Sequence, residues 1–259
     1  MNTDEERNAR SARVRFVLVN TSHPGNIGSA ARAIRTMGFD RLGLVAPESF
    51  PHGDAYALAA GALDVLDRAC ISSTLQQAVA DCSLVIGATA RLRGVSLEEW
   101  SPREAATRVL EAAERGREVA LVFGNERVGL SNDEIMLCHA AVHIPSDPGY
   151  SSLNLAQAVQ VLAYELRMAQ LAGVAARVGN TDAPATSIEL EGFFTHLATT
   201  LDDIDFHKGR SPRTIMRRLR KLFLRAQPDQ RELRVLRGIL ADAQRMARLA
   251  KERIDDESD

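Results

Sequence analysis

Between Arg13 and about Ala172, five short apolar runs alternate with stretches in which apolar residues return every three or four positions. The runs are RVRFVLV (Arg13–Val19), RLGLV (Arg41–Val45), SLVIGA (Ser83–Ala88), EVALVF (Glu118–Phe123) and AAVHIP (Ala140–Pro145). Short β-branched runs separated by helical periods predict an α/β fold with a mainly parallel sheet and helices on both faces. After the first run, Ile27, Ala30, Ala31, Ile34 and Met37 fall on one helical face that Gly38 closes. Ser101–Glu104 and Ser131–Glu134 both have the Ser-x-x-Glu spacing of a capping box, which predicts a helix start at each.

The segment Gly173–Ala185 is small, polar and without period, and reads as a linker. Beyond it the period is helical to the end. Thr186–Glu189 offers a third capping box, followed by the stripe Leu190, Phe194, Leu197, Leu201 and Ile204. A second helix carries Ile215, Leu219, Leu222 and Phe223 on one side, with Arg217, Lys221 and Arg225 on another. A third, from Gln230, is expected to bury Leu233, Leu236, Leu240, Ala243 and Met246. The expected organisation is an α/β domain over 1–172, a linker over 173–185 and a helical region over 186–254, with Asp255–Asp259 as a disordered acidic tail.

Composition narrows the class. With 45% hydrophobic and 25% charged residues the chain resembles an ordinary globular protein. No apolar run reaches the roughly 18 residues of a membrane span, and the first seven residues are polar with no apolar region behind them, so a cytosolic protein is expected. Cys70, Cys82 and Cys138 form no CxxC pair and have no histidine at zinc spacing; all three read as small core residues, and no metal is expected.

The net charge of −2 conceals a segregation. Asp182–Phe206 holds six acidic residues and no Lys or Arg, whereas His207–Arg253 holds fifteen basic against four acidic residues. That pattern suits either a nucleic-acid face or a solvated Arg-rich helix surface.

Three junctions between strand and helix carry the candidate chemistry. Gly25–Ala31 (GNIGSAA) follows the first strand and would receive an anion at the helix start. Its GxxGxxA spacing, with Glu48 about twenty residues on, keeps open a nicotinamide-dependent oxidoreductase. Phe123–Ser131 (FGNERVGLS) and Ile144–Asn154 (IPSDPGYSSLN) follow later strands. In an open parallel sheet such loops share one crevice at the carboxyl ends of adjacent strands. His23 is placed either to meet a nucleic acid or to steady the first turn, and Arg91 and Arg93 suit phosphate contacts.

NIGSAAR (Asn26–Arg32), LVFGNERVGLS and IPSDPGYSSLNLAQAVQ, in this order, resemble the three signature motifs of the SpoU branch of the SPOUT superfamily of RNA methyltransferases. The stretches NTSHPGNIGSAARAIRTMGF, ALAAGALDVL and FHKGRSPRTIMRRLRKLFLRAQP extend the likeness to bacterial tRNA ribose methyltransferases over nearly the whole chain. The resemblance implies a C-terminal trefoil knot, which physical reasoning does not anticipate because chains rarely thread loops. It also implies a homodimer using S-adenosylmethionine to methylate the ribose 2'-hydroxyl of cytidine or uridine at position 32, the first nucleotide of the tRNA anticodon loop.

By motif matching, the cofactor would meet Ala88, Thr89, Ala90, Gly124, Ile144, Ser151, Ser152 and Leu153; Ser152 suits cofactor or substrate backbone equally. Arg32 matches the family's catalytic arginine. A guanidinium stays protonated in proteins, so its expected role is to stabilise the developing alkoxide and steer the adjacent phosphate. Asn26, Glu126 and Asn154 complete the implied site: Glu126 fixing a loop or an arginine of the partner subunit, Asn154 capping the helix that begins there. Arg91, Arg93, Arg217, Lys221 and Arg225 are the expected RNA contacts. A non-catalytic RNA-binding module on the same fold is the remaining alternative.

Overall fold

The computed structural model describes residues 11–90, 97–147, 149, 152–172 and 184–256. The chain divides into two compact units, Met1–Asn180 and Thr181–Asp259.

The first unit is built on seven strands: β1 (Val14–Val19), β2 (Arg41–Val45), β3 (Cys70–Ser72), β4 (Leu84–Ala88), β5 (Glu98–Trp100), β6 (Val119–Phe123) and β7 (Ala140–Val142). They pair in the order β3-β2-β1-β6-β4-β7-β5, every pair parallel. Two late strands thus sit between earlier ones, β6 between β1 and β4, and β7 between β4 and β5. The register sets Leu18 and Ala88 beside Phe123, and Val142 beside Ala88, so the carboxyl ends of β1, β6, β4 and β7 form one row.

Alternation along each strand feeds two cores, as expected of a sheet covered on both faces. Val14, Phe16 and Leu18 pack on one side with Ile86, Leu121 and Phe123. Above them lie helices α1 (Pro24–Thr36), α2 (Gly53–Ala59), α3 (Leu63–Asp67), α5 (Pro102–Glu114) and α7 (Leu155–Leu171). Val17, Val19, Val85, Ala120 and Val122 face the other way, towards the short helices α4 (Leu75–Ala78) and α6 (Asn132–Ile135). Phe16 stacks on Phe123 at 6.3 Å and meets Phe39 edge-on at 5.5 Å. Each such buried ring contributes about 1.5–3 kcal/mol of hydrophobic stabilisation.

Helix α1 begins at Pro24, whose missing N–H costs nothing at that position, and is followed after its Met37 cap by Gly38, held at φ +85. Its Gly28 answers to packing: a Cβ there would lie 1.9 Å from the Ala55 carbonyl oxygen of α2. The glycine that suggested a dinucleotide turn is therefore required for two helices to touch. The capping boxes at Ser101, Ser131 and Thr186 all form.

Several expectations change. Strands β3 and β5, three residues each at the two sheet edges, carry too few apolar positions to stand out. Cys70 lies on β3 and is exposed, unlike the buried Cys82 and Cys138, whose thiols burial pushes up to about 12. His139 is buried between β4 and β7. Its backbone N–H donates to the Val85 carbonyl at 2.8 Å and its Nδ1 accepts the Val85 N–H at 3.0 Å. Burial disfavours the charged ring and lowers its pKa to about 4.

The second unit comprises α8 (Ser187–Asp203), α9 (Pro212–Ala226) and α10 (Gln230–Asp256). Leu190, Phe193, Phe194, Leu197, Leu201, Leu224 and Leu233 form its core, and Phe193 meets Phe223 at 4.8 Å. Arg220 pairs with Glu191 and lies 4.3 Å over the Phe194 ring, so this member of the basic run is structural. Met246, expected in the core, is 57% exposed, because only the first half of the long α10 has core partners. The helix continues through Asp255 and Asp256, where a disordered tail was expected; 257–259 lie outside the described residues. So does most of the expected linker, 173–183. Among the described residues no helix is long and apolar enough to cross a membrane.

Candidate functional site

The row of strand ends opens into a cavity of about 530 Å³. Its floor is Phe123 and Val142; its walls are Ala88–Ala90 after β4, the whole of Gly124–Asn132 after β6, and Ile144, Ser152, Leu153 and Leu155 after β7. This is the crevice expected of parallel strands ending side by side. Gly124 makes the first turn of the wall: a Cβ there would stand 2.2 Å from the Gly129 carbonyl carbon and the Leu130 nitrogen. The loop folds tightly back on it, closed by an Asn125–Gly129 bridge and by Gly129 at φ +71. Ser131 then caps α6 through Glu134.

After β4, the Thr89 N–H donates to the Val142 carbonyl at 3.0 Å, and His143 Nδ1 lies 3.2 Å from the Thr89 carbonyl, which it reaches as a donor. This fixes one wall of the cavity to the strand that floors it.

The start of α1 does receive an anion, and the chain itself supplies it. The Glu126 carboxylate accepts from the Ser22 N–H and hydroxyl, both at 3.0 Å, from the His23 N–H at 3.2 Å and from Asn26 Nδ2 at 2.9 Å. Partial burial would raise its pKa, but the hydrogen bonds from Asn26, Ser22 and His23 prevail and hold it at about 2. The other end of the Asn26 amide, Oδ1, accepts from Asn154 Nδ2 at 2.9 Å. Asn154 Oδ1 in turn accepts the N–H groups of Ala156 and Gln157 and caps α7. One polar chain thus joins all three motif loops. With Glu126 in place, the first turn has no free N–H groups at Ser22 and His23 for a dinucleotide phosphate.

Of the expected cofactor residues, Ala88, Thr89, Ala90, Gly124, Ile144, Ser152 and Leu153 line the one cavity. Ser151, Arg91 and Arg93 lie outside the described residues. Arg32 is exposed on α1 and is not part of the cavity lining. Arg217, Lys221 and Arg225 are exposed on α9, in the second unit. Beyond the Phe123–Ser131 and Ile144–Asn154 loops expected to share the crevice, the lining takes in Asn132 and Ile135 of α6 and Leu155 and Ala158 of α7, which sequence reasoning missed. Their place in the first turn of the helix that each motif loop feeds was the available signal.

The lining suits a small organic ligand with a few polar groups. Apolar surfaces of Phe123, Leu130, Val142, Ile144 and Leu155 enclose a space of the size that small cofactors fill, and Thr89, Asn132 and Ser152 supply dispersed polar groups. Among the described residues no cluster of side chains could hold a metal ion.

Residues 13–164 match the SpoU rRNA Methylase family, and residues 188–252 match the C-terminal domain of the tRNA methyltransferase TrmJ. A Pseudomonas aeruginosa protein, tRNA (cytidine/uridine/adenosine-2'-O-)-methyltransferase TrmJ, is 50% identical over 254 residues, covering 94% of this chain and 99% of its own. The tRNA (cytidine/uridine-2'-O-)-methyltransferase TrmJ of Salmonella typhimurium is 52% identical over 233 residues, covering 88% and 95%. The crystal structure of TrmJ from Z. mobilis superposes with a TM-score of 0.77 at 37% identity, over 89% of this chain and 99% of that one.

Proposed function

The chain belongs to the SpoU methylase family, and from that premise we propose that it is a tRNA ribose 2'-O-methyltransferase. The methyl donor is S-adenosylmethionine and the acceptor is cytidine or uridine at position 32 of the anticodon loop. The observation that carries this reading is the meeting of the three motif loops, from β1, β6 and β7, in one polar chain beside one cavity. The trefoil crossing expected of the family accords with β6 and β7 lying between earlier strands.

The donor supplies an electrophilic methyl on a sulfonium, and its departure as a neutral thioether calls for no metal. The protein's task is to align and to help a hydroxyl lose its proton. Alignment alone contributes on the order of 7 to 11 kcal/mol in well-oriented systems. Ala88–Ala90, Gly124, Ile144 and Ser151–Leu153 hold the donor, backbone groups serving where Ala88 has no hydroxyl to offer. Asn26, Glu126 and Asn154 keep the three loops in register. Arg32, always charged, stabilises the developing alkoxide and grips the neighbouring phosphate, while the proton leaves to water or a phosphate oxygen.

Arg217, Lys221 and Arg225, with Arg91 and Arg93, hold the tRNA backbone, and catalysis takes place in the cytoplasm. The enzyme works as a homodimer, for which Tyr164, Met168 and Leu171, exposed along one side of α7, supply apolar surface. Mass spectrometry of nucleosides and of ribonuclease fragments from tRNA treated with the purified protein and S-adenosylmethionine tests the donor, the acceptor base and its position. A 2'-O-methylpyrimidine at position 32 is the expected product; recovery of unmodified tRNA would overturn the reading.

A further inference from the structure

Asn20, the residue after β1, lies outside the cavity yet holds its longest wall at both ends. It stands at φ +52, in the left-handed region where asparagine is among the few side chains readily accommodated. Its backbone N–H donates to the Val45 carbonyl at 2.9 Å, which ties it to β2. Its carbonyl accepts Asn125 Nδ2 at 2.6 Å, at the start of the wall. Its side-chain Nδ2 donates to Glu134 Oε1 at 3.3 Å, at the end of the wall. Glu134 Oε2 meanwhile accepts the Ser131 N–H at 2.7 Å, so one carboxylate serves both the helix cap and Asn20. Between these anchors the loop holds itself, Gly129 N–H to the Asn125 carbonyl at 2.8 Å and Arg127 N–H to Asn125 Oδ1 at 2.9 Å.

We propose that Asn20 is a positioning residue that sets affinity for the methyl donor by holding the 125–131 wall in its binding geometry through Asn125 and Glu134. The proposal rests on the donor-binding reading of the cavity given above. A loop left free must be ordered by the ligand, and the binding constant carries that cost. Asn20 is itself no part of the cavity lining, so its loss should weaken binding without altering the chemical step.

Asn20→Gly is the informative change, because glycine keeps the positive φ and the carbonyl while removing the amide. By calorimetry it should raise the Kd for S-adenosylmethionine about tenfold, the scale of one hydrogen bond to a charged group. The kcat at saturating donor and the Kd for tRNA should stay within about twofold. Glu134→Ala, which also loses the bond from the Ser131 N–H, should weaken donor binding at least as much, and the double variant should be no weaker than Glu134→Ala alone, because the Asn20 amide acts through Glu134. A wild-type Kd in Asn20→Gly, a fall in kcat at unchanged Kd, or independent effects in the double variant would each overturn the proposal.

Hydrogen exchange of the ligand-free protein separates this from the functional reading. Amides of Arg127 and Gly129 should exchange faster in Asn20→Gly than in wild type, and equal rates overturn the anchoring role whatever ligand the cavity takes. Wild-type protein that takes up no S-adenosylmethionine overturns the functional reading instead.

Discussion

Asn154 Nδ2 donates to Asn26 Oδ1 over 2.9 Å, although 128 positions separate the two residues. The same Asn26 side chain donates to Glu126, so a single amide has both of its ends committed. Asn26→Ala should therefore strip a donor from Glu126 and an acceptor from Asn154 together, costing about 1 to 2 kcal/mol in chemical denaturation. Asn26→Asp should be worse at neutral pH, since it sets a second carboxylate against Glu126. That penalty should shrink as the solution is acidified towards pH 5, where one of the pair takes a proton.

Glu126 has a depressed pKa in the fold, so its contribution to stability is complete above the ordinary carboxylate value of 4.5 and fades as pH falls towards about 2. Glu126→Gln should flatten the acid limb of the unfolding curve across that window. An unchanged acid limb would show that the carboxylate is not held by Ser22, His23 and Asn26.

His139 makes the opposite end of the acid response visible. Its pKa is lowered to about 4 in the fold from the ordinary 6.5, so unfolding takes up a proton between these values and stability falls as pH drops through them. His139→Asn should remove about one proton, roughly 1.4 kcal/mol per pH unit, from the slope of stability against pH in that interval. The check is a denaturant series from pH 7 to about pH 4 on both proteins.

Arg32→Ala should lower kcat by about 10²–10³, the usual cost of losing a group that stabilises developing negative charge. Donor affinity by calorimetry should be nearly unchanged, since Arg32 is no part of the cavity lining. Wild-type turnover in the variant refutes the assignment.

Replacing Arg217, Lys221 and Arg225 with Ala should raise the Kd for tRNA and lower the slope of log K against log salt by about two to three. The donor Kd should not move. Arg220 is the contrasting control: paired with Glu191 and stacked on Phe194, its loss should lower the melting temperature of the second unit rather than the salt slope.

Much of the frame was legible because it depends on local chemistry. Five of the seven strands, the three capping boxes and the Asn154 cap each follow from a short stretch of residues. The edge strands β3 and β5 were not, since three residues with one or no buried side chain give no period to detect. Cys70 and Met246 were misplaced for the same reason: hydropathy says that a residue can be buried, whereas sheet order and helix length decide whether anything covers it. The loops were recognisable as a site, but the occupant of the first turn was not. Glu126 lies about a hundred residues away, and only the strand order brings it to Ser22 and His23. Gly28 misled by its surroundings, because the tight contact with Ala55 leaves no mark in its own segment.

The insertion of β6 between β1 and β4, and of β7 between β4 and β5, fixes a timetable for the newborn chain. A ribosome that has delivered only the first hundred residues has made both borders of a gap and nothing to fill it. The cavity can acquire its floor only when Phe123 and Val142 emerge and slot in, and its polar clasp only when Asn154 follows. A polypeptide cut short before that point gains no partial capacity to bind, and contacts so distant in sequence make assembly slow.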